Sequence, residues 1–251
     1  MTKLIILGSS NAIPSKDHEN THLALVCQSR TVLIDCVGSP VVRLEAAGID
    51  LNTIGDIILT HFHPDHVSGV PLLLMDLWLM GRRAPLNVYG LNYTIERIET
   101  LMGLYGSANW PNFFPVNFCR VPANEMALVL DGDDIRVYSS PVKHFLPNIG
   151  LRIELKAEKK SLAYSCDTEP CPEVERLAAG ADILLHEAAG PLAGHSSAAQ
   201  AGDIAQRAEV GQLYLIHYPT GRFASGDLVS EAKTRFAGDV RLATDLMEIS
   251  L

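Results

Sequence analysis

The sequence predicts an α/β protein, a four-layer αβ/βα sandwich of two mixed sheets with helices on both outer faces. Three observations carry that expectation. Each half of the chain opens on short β-like runs joined by turn signals and closes on strands alternating with helical segments. The composition, 47% apolar and 20% charged, is that of an ordinary globular protein. The 251 residues let one domain bury roughly 70–75% of the surface the unfolded chain exposes, without disulfide or metal stapling. One domain over 1–251 is therefore expected, with pseudo-halves of about 1–125 and 126–251. A single doubly wound sheet is the alternative, and the early run of hairpins argues against it.

The elements follow in order. Lys3–Gly8, His22–Cys27 and Thr31–Asp35 read as strands, since each is a short apolar run bounded by turn residues. Pro40–Ala47 reads as a helix with proline in its first turn and Gly48 as its stop. Asp56–Thr60 is a strand with the apolar core Ile57-Ile58-Leu59, Pro71–Met80 a helix, Leu86–Tyr89 a strand and Asn92–Leu104 a helix. The second series starts near Met126, where Met126–Leu130 and Ile135–Ser139 flank the hairpin signal Asp131-Gly132-Asp133. Strands Ile149–Leu155 and Leu162–Ser165 flank the charged turn Glu158-Lys159-Lys160. Strict alternation closes the chain: helix Pro172–Ala179, strand Asp182–His186, helix Ser197–Glu209, strand Leu213–His217, helix Asp227–Phe236, strand Val240–Ala243.

Composition excludes several classes. The net charge of −9 and pI near 5.4 leave no broad basic footprint for nucleic acid, although bound cations can reverse the sign locally. The longest apolar stretch, Val67 to Met80, is interrupted by Asp76 and is too short to span a bilayer. The apolar run Leu4–Leu7 is too short for a signal-peptide core. Cys27, Cys36, Cys119, Cys166 and Cys171 are odd in number and form no Cys-x-x-Cys pair, so a reducing, cytoplasmic location is expected, with the thiols as small buried groups.

The densest chemistry is Thr60-His61-Phe62-His63-Pro64-Asp65-His66, directly after the strand Asp56–Thr60. Loops at the C-terminal ends of such strands are where α/β folds place their sites. Three imidazoles and a carboxylate within six residues are costly to bury unpaired, and neutral imidazole with carboxylate is the donor set of Zn²⁺ and similar ions. Alternation at 61, 63 and 65 is expected to send those side chains to one side of an extended turn, with His66 facing across. His144, Asp167 and His217 each follow a further strand. Singly, each would be an ordinary packing histidine or turn aspartate; their common position at C-terminal strand ends is what joins them to the first group.

His61-x-His63-x-Asp65-His66 with His144, Asp167 and His217, in this order, resembles the metallo-β-lactamase superfamily, and the resemblance covers nearly the whole chain. The complete set of seven is similar to its two-metal hydrolase branch. The resemblance implies that His61, His63 and His144 hold one cation, that Asp65, His66 and His217 hold the other, and that Asp167 bridges them. It also implies a bridging hydroxide as nucleophile, with Asp65 among the catalytic residues. Two divalent ions are expected, Zn²⁺ first and Mn²⁺ or Fe as alternatives.

A narrower resemblance rests on Leu184-Leu185-His186-Glu187-Ala188, Gly194-His195-Ser196-Ser197, Leu215-Ile216-His217-Tyr218, the opening Leu7-Gly8-Ser9-Ser10-Asn11-Ala12-Ile13-Pro14-Ser15, and Asp65-His66-x-x-Gly69. These are similar to the tRNase Z (ribonuclease Z) phosphodiesterases, with their His-Glu-Ala-Thr and His-Ser-Thr motifs. His195 precedes a helix whose start carries the capping-box spacing Ser197-x-x-Gln200, a place that attracts anions. An imidazolium there would neutralise a phosphorane or protonate the leaving oxygen, and Glu187 would orient it.

Two departures shape the substrate expectation. His186-Glu187-Ala188-Ala189 lacks the threonine, and only 22 residues separate His144 from Asp167. Bacterial members of the common type carry a long tRNA-gripping arm between those motifs. A small molecule or short phosphodiester is thus expected in place of tRNA. The competing reading is a hydrolase of carboxylic esters, lactones or thioesters, as in glyoxalase II-like relatives; a non-catalytic metal-binding sensor would be expected to lack a ligand. His18 and His22 read as polar loop residues, Arg82-Arg83 as caps of the preceding helix, and Trp78 as a core or homodimer-face anchor.

Overall fold

A computed structural model describes residues 2–251. Its elements are β1 (Lys3–Gly8), β2 (His22–Val26), β3 (Thr31–Ile34), α1 (Pro40–Ala46), β4 (Ile54–Ile58), α2 (Pro64–Val67), α3 (Val70–Leu79), β5 (Leu86–Leu91), α4 (Asn92–Leu104) and β6 (Val116–Val121). The second series is β7 (Ala127–Asp131), β8 (Ile135–Val142), β9 (Asn148–Leu155), β10 (Lys160–Tyr164), α5 (Pro172–Ala178), β11 (Ile183–Glu187), α6 (Ala198–Arg207), β12 (Gln212–Ile216), α7 (Leu228–Lys233), β13 (Asp239–Leu242) and β14 (Glu248–Ser250). No helix among the described residues is long and apolar enough to cross a membrane.

The strands form two seven-stranded sheets, ordered β14-β1-β2-β3-β4-β5-β6 and β13-β12-β11-β10-β9-β8-β7. Each is antiparallel where hairpins build it and parallel where helices intervene. β1, β2, β3 and β14 pair antiparallel while β3 to β6 pair parallel. β7 to β10 are antiparallel and β10 to β13 parallel.

Strand alternation builds the layers. Leu4, Ile6, Leu23 and Leu25 face the inter-sheet core with Val137, Ile149, Leu151, Leu185 and Ile216. Their neighbours Ile5, Leu7 and Ala24 face outward under Leu44 of α1, Leu73 of α3 and Ile95 and Ile98 of α4. On the other sheet Leu184, Leu213 and Leu215 face Val174 of α5, Ile204 of α6 and Ala232 of α7. A strand buried on both faces must be apolar at successive positions, which is why β1 carries Leu4-Ile5-Ile6-Leu7 and β11 opens on Ile183-Leu184-Leu185. The result is the expected four-layer sandwich.

The edges depart from expectation. β6 and β14 were not anticipated; β6 is a partly exposed edge with Asn117 and Arg120 interrupting its apolar residues, and β14 is three residues long. β14 pairs with β1, Leu4 opposite Ile249, so the end of the chain returns to the first sheet. α7 stops at Lys233, three residues short of the expected Phe236. The chain from His144 to Asp167 is the hairpin β9–β10, two strands and a turn.

Candidate metal centre

The site lies where the C-terminal ends of β3, β4, β10, β11 and β12 meet across the two sheets. After β4 the chain stays extended through His63, which is the N-cap of α2 with Pro64 in its first turn. Here the expected alternation fails: Asp65 and His66 sit on a helical turn, because proline's fixed φ starts a helix. The turn is pinned against the β3 end, with Cys36 N–H donating to His66 O (2.9 Å) and Gly69 N–H to Cys36 O (2.9 Å). A Cβ at Gly69 would sit 2.8 Å from the Val37 backbone, which explains the glycine four residues after Asp65.

All seven expected donors come together. His61 Nε2, His63 Nδ1 and a nitrogen of His144 form one group, and Asp65, His66, Asp167 and His217 form another, each with its donor atoms within 4.8 Å of one another. His61 Nε2 lies 2.9 Å and His144 Nε2 3.2 Å from His63 Nδ1. Asp167 Oδ2 stands between the groups, 3.2 Å from His217 Nε2, 3.4 Å from His66 Nε2 and 3.9 Å from His61 Nε2. Asp65 Oδ2 is 3.6 Å from His66 Nε2. Asp167 Oδ1 and His66 Nε2 are buried without a hydrogen-bond partner. Buried polar atoms are nearly always satisfied, and nitrogen and carboxylate donors converging at these distances fit divalent cations.

Partners behind the donors aim them. His66 Nδ1 donates to Asp35 Oδ2 (2.7 Å), and Asp35 also accepts from Thr60 N–H and Thr60 Oγ1–H. His144 Nδ1 donates to Gly194 O (2.7 Å), leaving Nε2 to the cluster. Glu169 accepts from Gly194 N–H (3.0 Å) and pairs with Lys143 (2.6 Å), tying the His144 and His195 loops together. Asn148 Nδ2 donates to Asp167 O. Asp35, Cys166 and His217, at the ends of β3, β10 and β12, have φ of 61°, 52° and 53°. Such left-handed non-glycine residues cost of order 1–3 kcal/mol and persist where the surroundings over-determine them. Asp35, Glu169 and Asn148 were not among the expected site residues, and the one signal for them in the sequence was an acid at the end of the buried strand Thr31–Ile34; Gly194 had been marked only as part of the His195 motif.

The electrostatics are those of a closely packed cluster. Burial holds His61 well below the usual imidazole range and takes His217 down to about 4, with burial likewise lowering His63 and His144. These four favour the neutral form a cation requires. Burial also opposes charge on His66, but Asp167 and Asp35 outweigh it and hold the imidazole well above its ordinary value. Asp167 is desolvated too, yet His217 and His66 keep it well below the carboxylate range. To bind a cation, His66 would have to give up its Nε2 proton.

Glu187 and His195 meet as expected, His195 Nδ1 donating to Glu187 Oε1 at 2.9 Å. Glu187 is fully buried and also accepts from Thr168 N–H and Ala189 N–H, both at 2.9 Å. Burial pushes its carboxyl up to about 7 against the pull of His195. Burial works against charge on His195, and the bond to Glu187 raises it above the usual value. With Nδ1 engaged, Nε2 is left for the cavity, which measures about 360 Å³ and is shared with His63, Asp65, Asp167 and His217. The capping box forms, Ser197 Oγ accepting from Gln200 N–H.

Of the remaining expectations some hold and one is corrected. His22 is buried at the start of β2, its Nδ1 donating to Asn20 O, because it lies between the sheet and its outer helices. His18 is half-buried against Ser9 Oγ (2.8 Å). Arg82 caps α3 through its backbone, its N–H donating to Leu77 O (2.9 Å) just after Gly81 N–H donates to Trp78 O, while its guanidinium donates to Ile54 O, Ala84 O and Pro85 O, tying the β4 start to the β5 lead-in, and Arg83 NH1 donates to Arg82 O. Trp78 is half-buried, stacked on Trp110 with ring centroids 4.9 Å apart. All five cysteines are free, and four are buried.

Comparison with known proteins follows the same lines. Residues 30–218 match the family described as beta-lactamase superfamily domain. The ribonuclease Z of Methanothermobacter thermautotrophicus is 27% identical over 306 aligned positions, covering 100% of this chain and 97% of that one. Against the 251 residues here, that alignment leaves about 55 positions of the archaeal protein without a counterpart. The metallo-beta-lactamase fold protein YhfI from Bacillus subtilis superposes with a TM-score of 0.83 at 21% identity, covering 99% of this chain and 98% of that chain. Human tRNase Z, short form, superposes with a TM-score of 0.78 at 23% identity, covering 99% and 98%. Both share the fold.

Proposed function

The chain belongs to the beta-lactamase superfamily, and from that premise we propose that it is a metal-dependent phosphodiesterase of the ribonuclease Z-like group acting on short phosphodiesters. One observation carries the choice of reaction: His195, held by Glu187, lines the same cavity as the donors His63, Asp65, Asp167 and His217. A neutral ester gains little from an imidazolium beside the metals, whereas a phosphodiester carries charge into its transition state.

His61, His63 and His144 would hold one cation and Asp65, His66 and His217 the other, with Asp167 between them. Zn²⁺ is the first choice for so imidazole-rich a set. When bound, the cations supply acidified water and electrophilic stabilisation of the phosphoryl oxygens. His195 places an N–H at the leaving oxygen and holds positive charge beside it. Glu187 fixes the tautomer and plane of that ring, and its own orientation is set by the Thr168 and Ala189 N–H groups. Asp65, on the cavity wall and largely buried, is the remaining carboxylate able to take a proton from the attacking side.

A short substrate is favoured by several features together. The chain is acidic, −9 overall. Among the described residues no lysine or arginine lines the cavity, and Lys143 near it is paired with Glu169. The His144–Asp167 interval is a tight hairpin. The test is a comparison of kcat/KM for metal-loaded protein on bis-p-nitrophenyl phosphate, a lactone and a thioester, with a gel-shift on pre-tRNA at physiological salt. Faster turnover of the diester and weak, unselective tRNA binding are expected. Preference for the lactone or thioester would overturn the reaction class, and tight tRNA-selective binding would overturn the substrate size.

A further inference from the structure

We propose that Phe145 and Leu192 form a subsite for a flat aromatic group, a nucleobase or aryl ring, attached beside the phosphate that the metal centre holds. This rests on the phosphodiesterase reading. Phe145 follows His144 and Leu192 lies three residues before His195, so the two loops that deliver those imidazoles also deliver this wall. Both side chains are left largely in water, 65% and 66% exposed, although they border the catalytic cavity. With Ala12, Pro64 and Ala189 they make up its apolar lining.

The Phe145 part of the wall is packed in place. The Phe145 ring packs edge-on against His144, centroids 5.2 Å apart, and approaches His195 at 6.4 Å. It lies directly on Gly194, where a Cβ would stand 2.7 Å from Phe145 Cε2, and Gly194 has φ of +75°. Glycine is thus needed there twice, for the turn and for the ring. Glu169, through its bonds to Gly194 and Lys143, ties the Phe145 side of the wall to the Gly194 loop. A wall already in place binds without the entropy loss of ordering it.

The cavity chemistry selects the ligand. The cations and His195 satisfy one phosphate, and no further cation among the described residues lines the cavity for a second. What lies next to that phosphate meets carbon, with Asn11 as the single polar side chain outside the histidine and aspartate set. An aromatic ring stacks on phenylalanine, and an amide can read the edge of a base. At about 360 Å³ the cavity is near the lower end of small-molecule sites and suits one nucleotide unit.

The test is calorimetric binding of adenosine 5′-monophosphate and of base-free ribose 5-phosphate to metal-loaded protein, with metal content verified for each variant. Stacking on an aromatic predicts roughly 5–100-fold tighter binding of the nucleotide. That ratio should collapse in Phe145→Ala and persist in Phe145→Tyr; Gly194→Ala, which displaces the ring, should lower it too. Phenyl phosphate against methyl phosphate distinguishes a general aryl wall, which reproduces the ratio, from one that also reads a base edge, which does not. Equal binding of nucleotide and ribose phosphate, or a ratio that survives Phe145→Ala, overturns the proposal even if diesters are hydrolysed. A ratio that depends on Phe145 without any diester turnover upholds the subsite and removes the phosphodiesterase reading instead.

Discussion

Replacing Asp35 tests whether the second cation is held as firmly as the fold suggests. This carboxylate is 1% exposed and accepts three hydrogen bonds: Thr60 N–H at 2.9 Å, Thr60 Oγ1–H at 2.8 Å and His66 Nδ1–H at 2.7 Å. Bonds to a charged acceptor are worth about 1.5–3 kcal/mol each, but burial raises the Asp35 carboxyl and offsets part of that sum. Asp35→Ala, which also places a Cβ-only residue at φ 61°, should cost about 3–5 kcal/mol. Asp35→Asn is the cleaner probe because asparagine tolerates the left-handed conformation. Its amide can accept from Thr60 or from His66, but its NH₂ then faces the other donor, for a loss of about 2–3 kcal/mol. Removing the partner of a metal-ligating histidine typically weakens metal binding about 10–100-fold. The loss should fall on one equivalent, the cation held by Asp65, His66 and His217, and spare the one held by His61, His63 and His144. Competition with a chromophoric chelator resolves the two equivalents, and urea unfolding of the metal-free protein gives the stability term. If both equivalents bind Asp35→Asn as tightly as the wild-type protein, Asp35 does not orient His66 and the reasoning fails.

His195→Ala should retain both cations and lose roughly 10²–10⁴ in kcat on a phosphodiester; Glu187→Gln should lose less, and the double variant should lose no more than His195→Ala. Steady-state kinetics with elemental analysis check this, and equal small losses on a diester and a neutral ester would refute it. Elemental analysis of gently purified, supplemented protein should give about two divalent ions per chain, and Asp167→Ala should lose most activity; one equivalent at most would refute the two-cation centre. His22 and His186, buried with their pKa lowered to about 4, stay neutral in the fold while the unfolded chain protonates near 6.5. Stability is therefore full above about pH 6.5 and falls as the pH drops toward 4, by about 2 kcal/mol per histidine between pH 7 and 5. Urea midpoints at those pH values should show His186→Gln losing about 2 kcal/mol less than wild type; identical pH dependence in the two proteins would refute the assignment.

The loop 61–66 and the donors at 144, 167 and 217 could be read from the chain because each ends an apolar run with a strand's period. A strand's C-terminal end is a local property. The same local logic recovered the hairpin between His144 and Asp167 and the capping box at Ser197. It failed where the outcome depends on a distant partner. β14 is three residues whose only reason to be a strand is the edge of β1, and β6 is half-exposed, so neither carries enough periodicity to be seen. The alternation through Asp65 broke because Pro64 starts a helical turn that Cys36 and Gly69 then hold. His22, read as a loop residue, is buried by packing that no pattern within its own strand reports. Asp35 behind His66, Glu169 behind Gly194 and the Phe145 wall on Gly194 are contacts between residues 25 to 50 positions apart. Residue types and their order along strand ends set out the seven donors, and the resemblance they carry pointed to Glu187 and His195, which the fold brings into contact. Which nitrogen faces inward, which imidazoles stand against Asp167 and which wall borders the cavity were decided only when two sheets packed. Hydrogen bonds and burial act through space, and their partners are chosen by the fold.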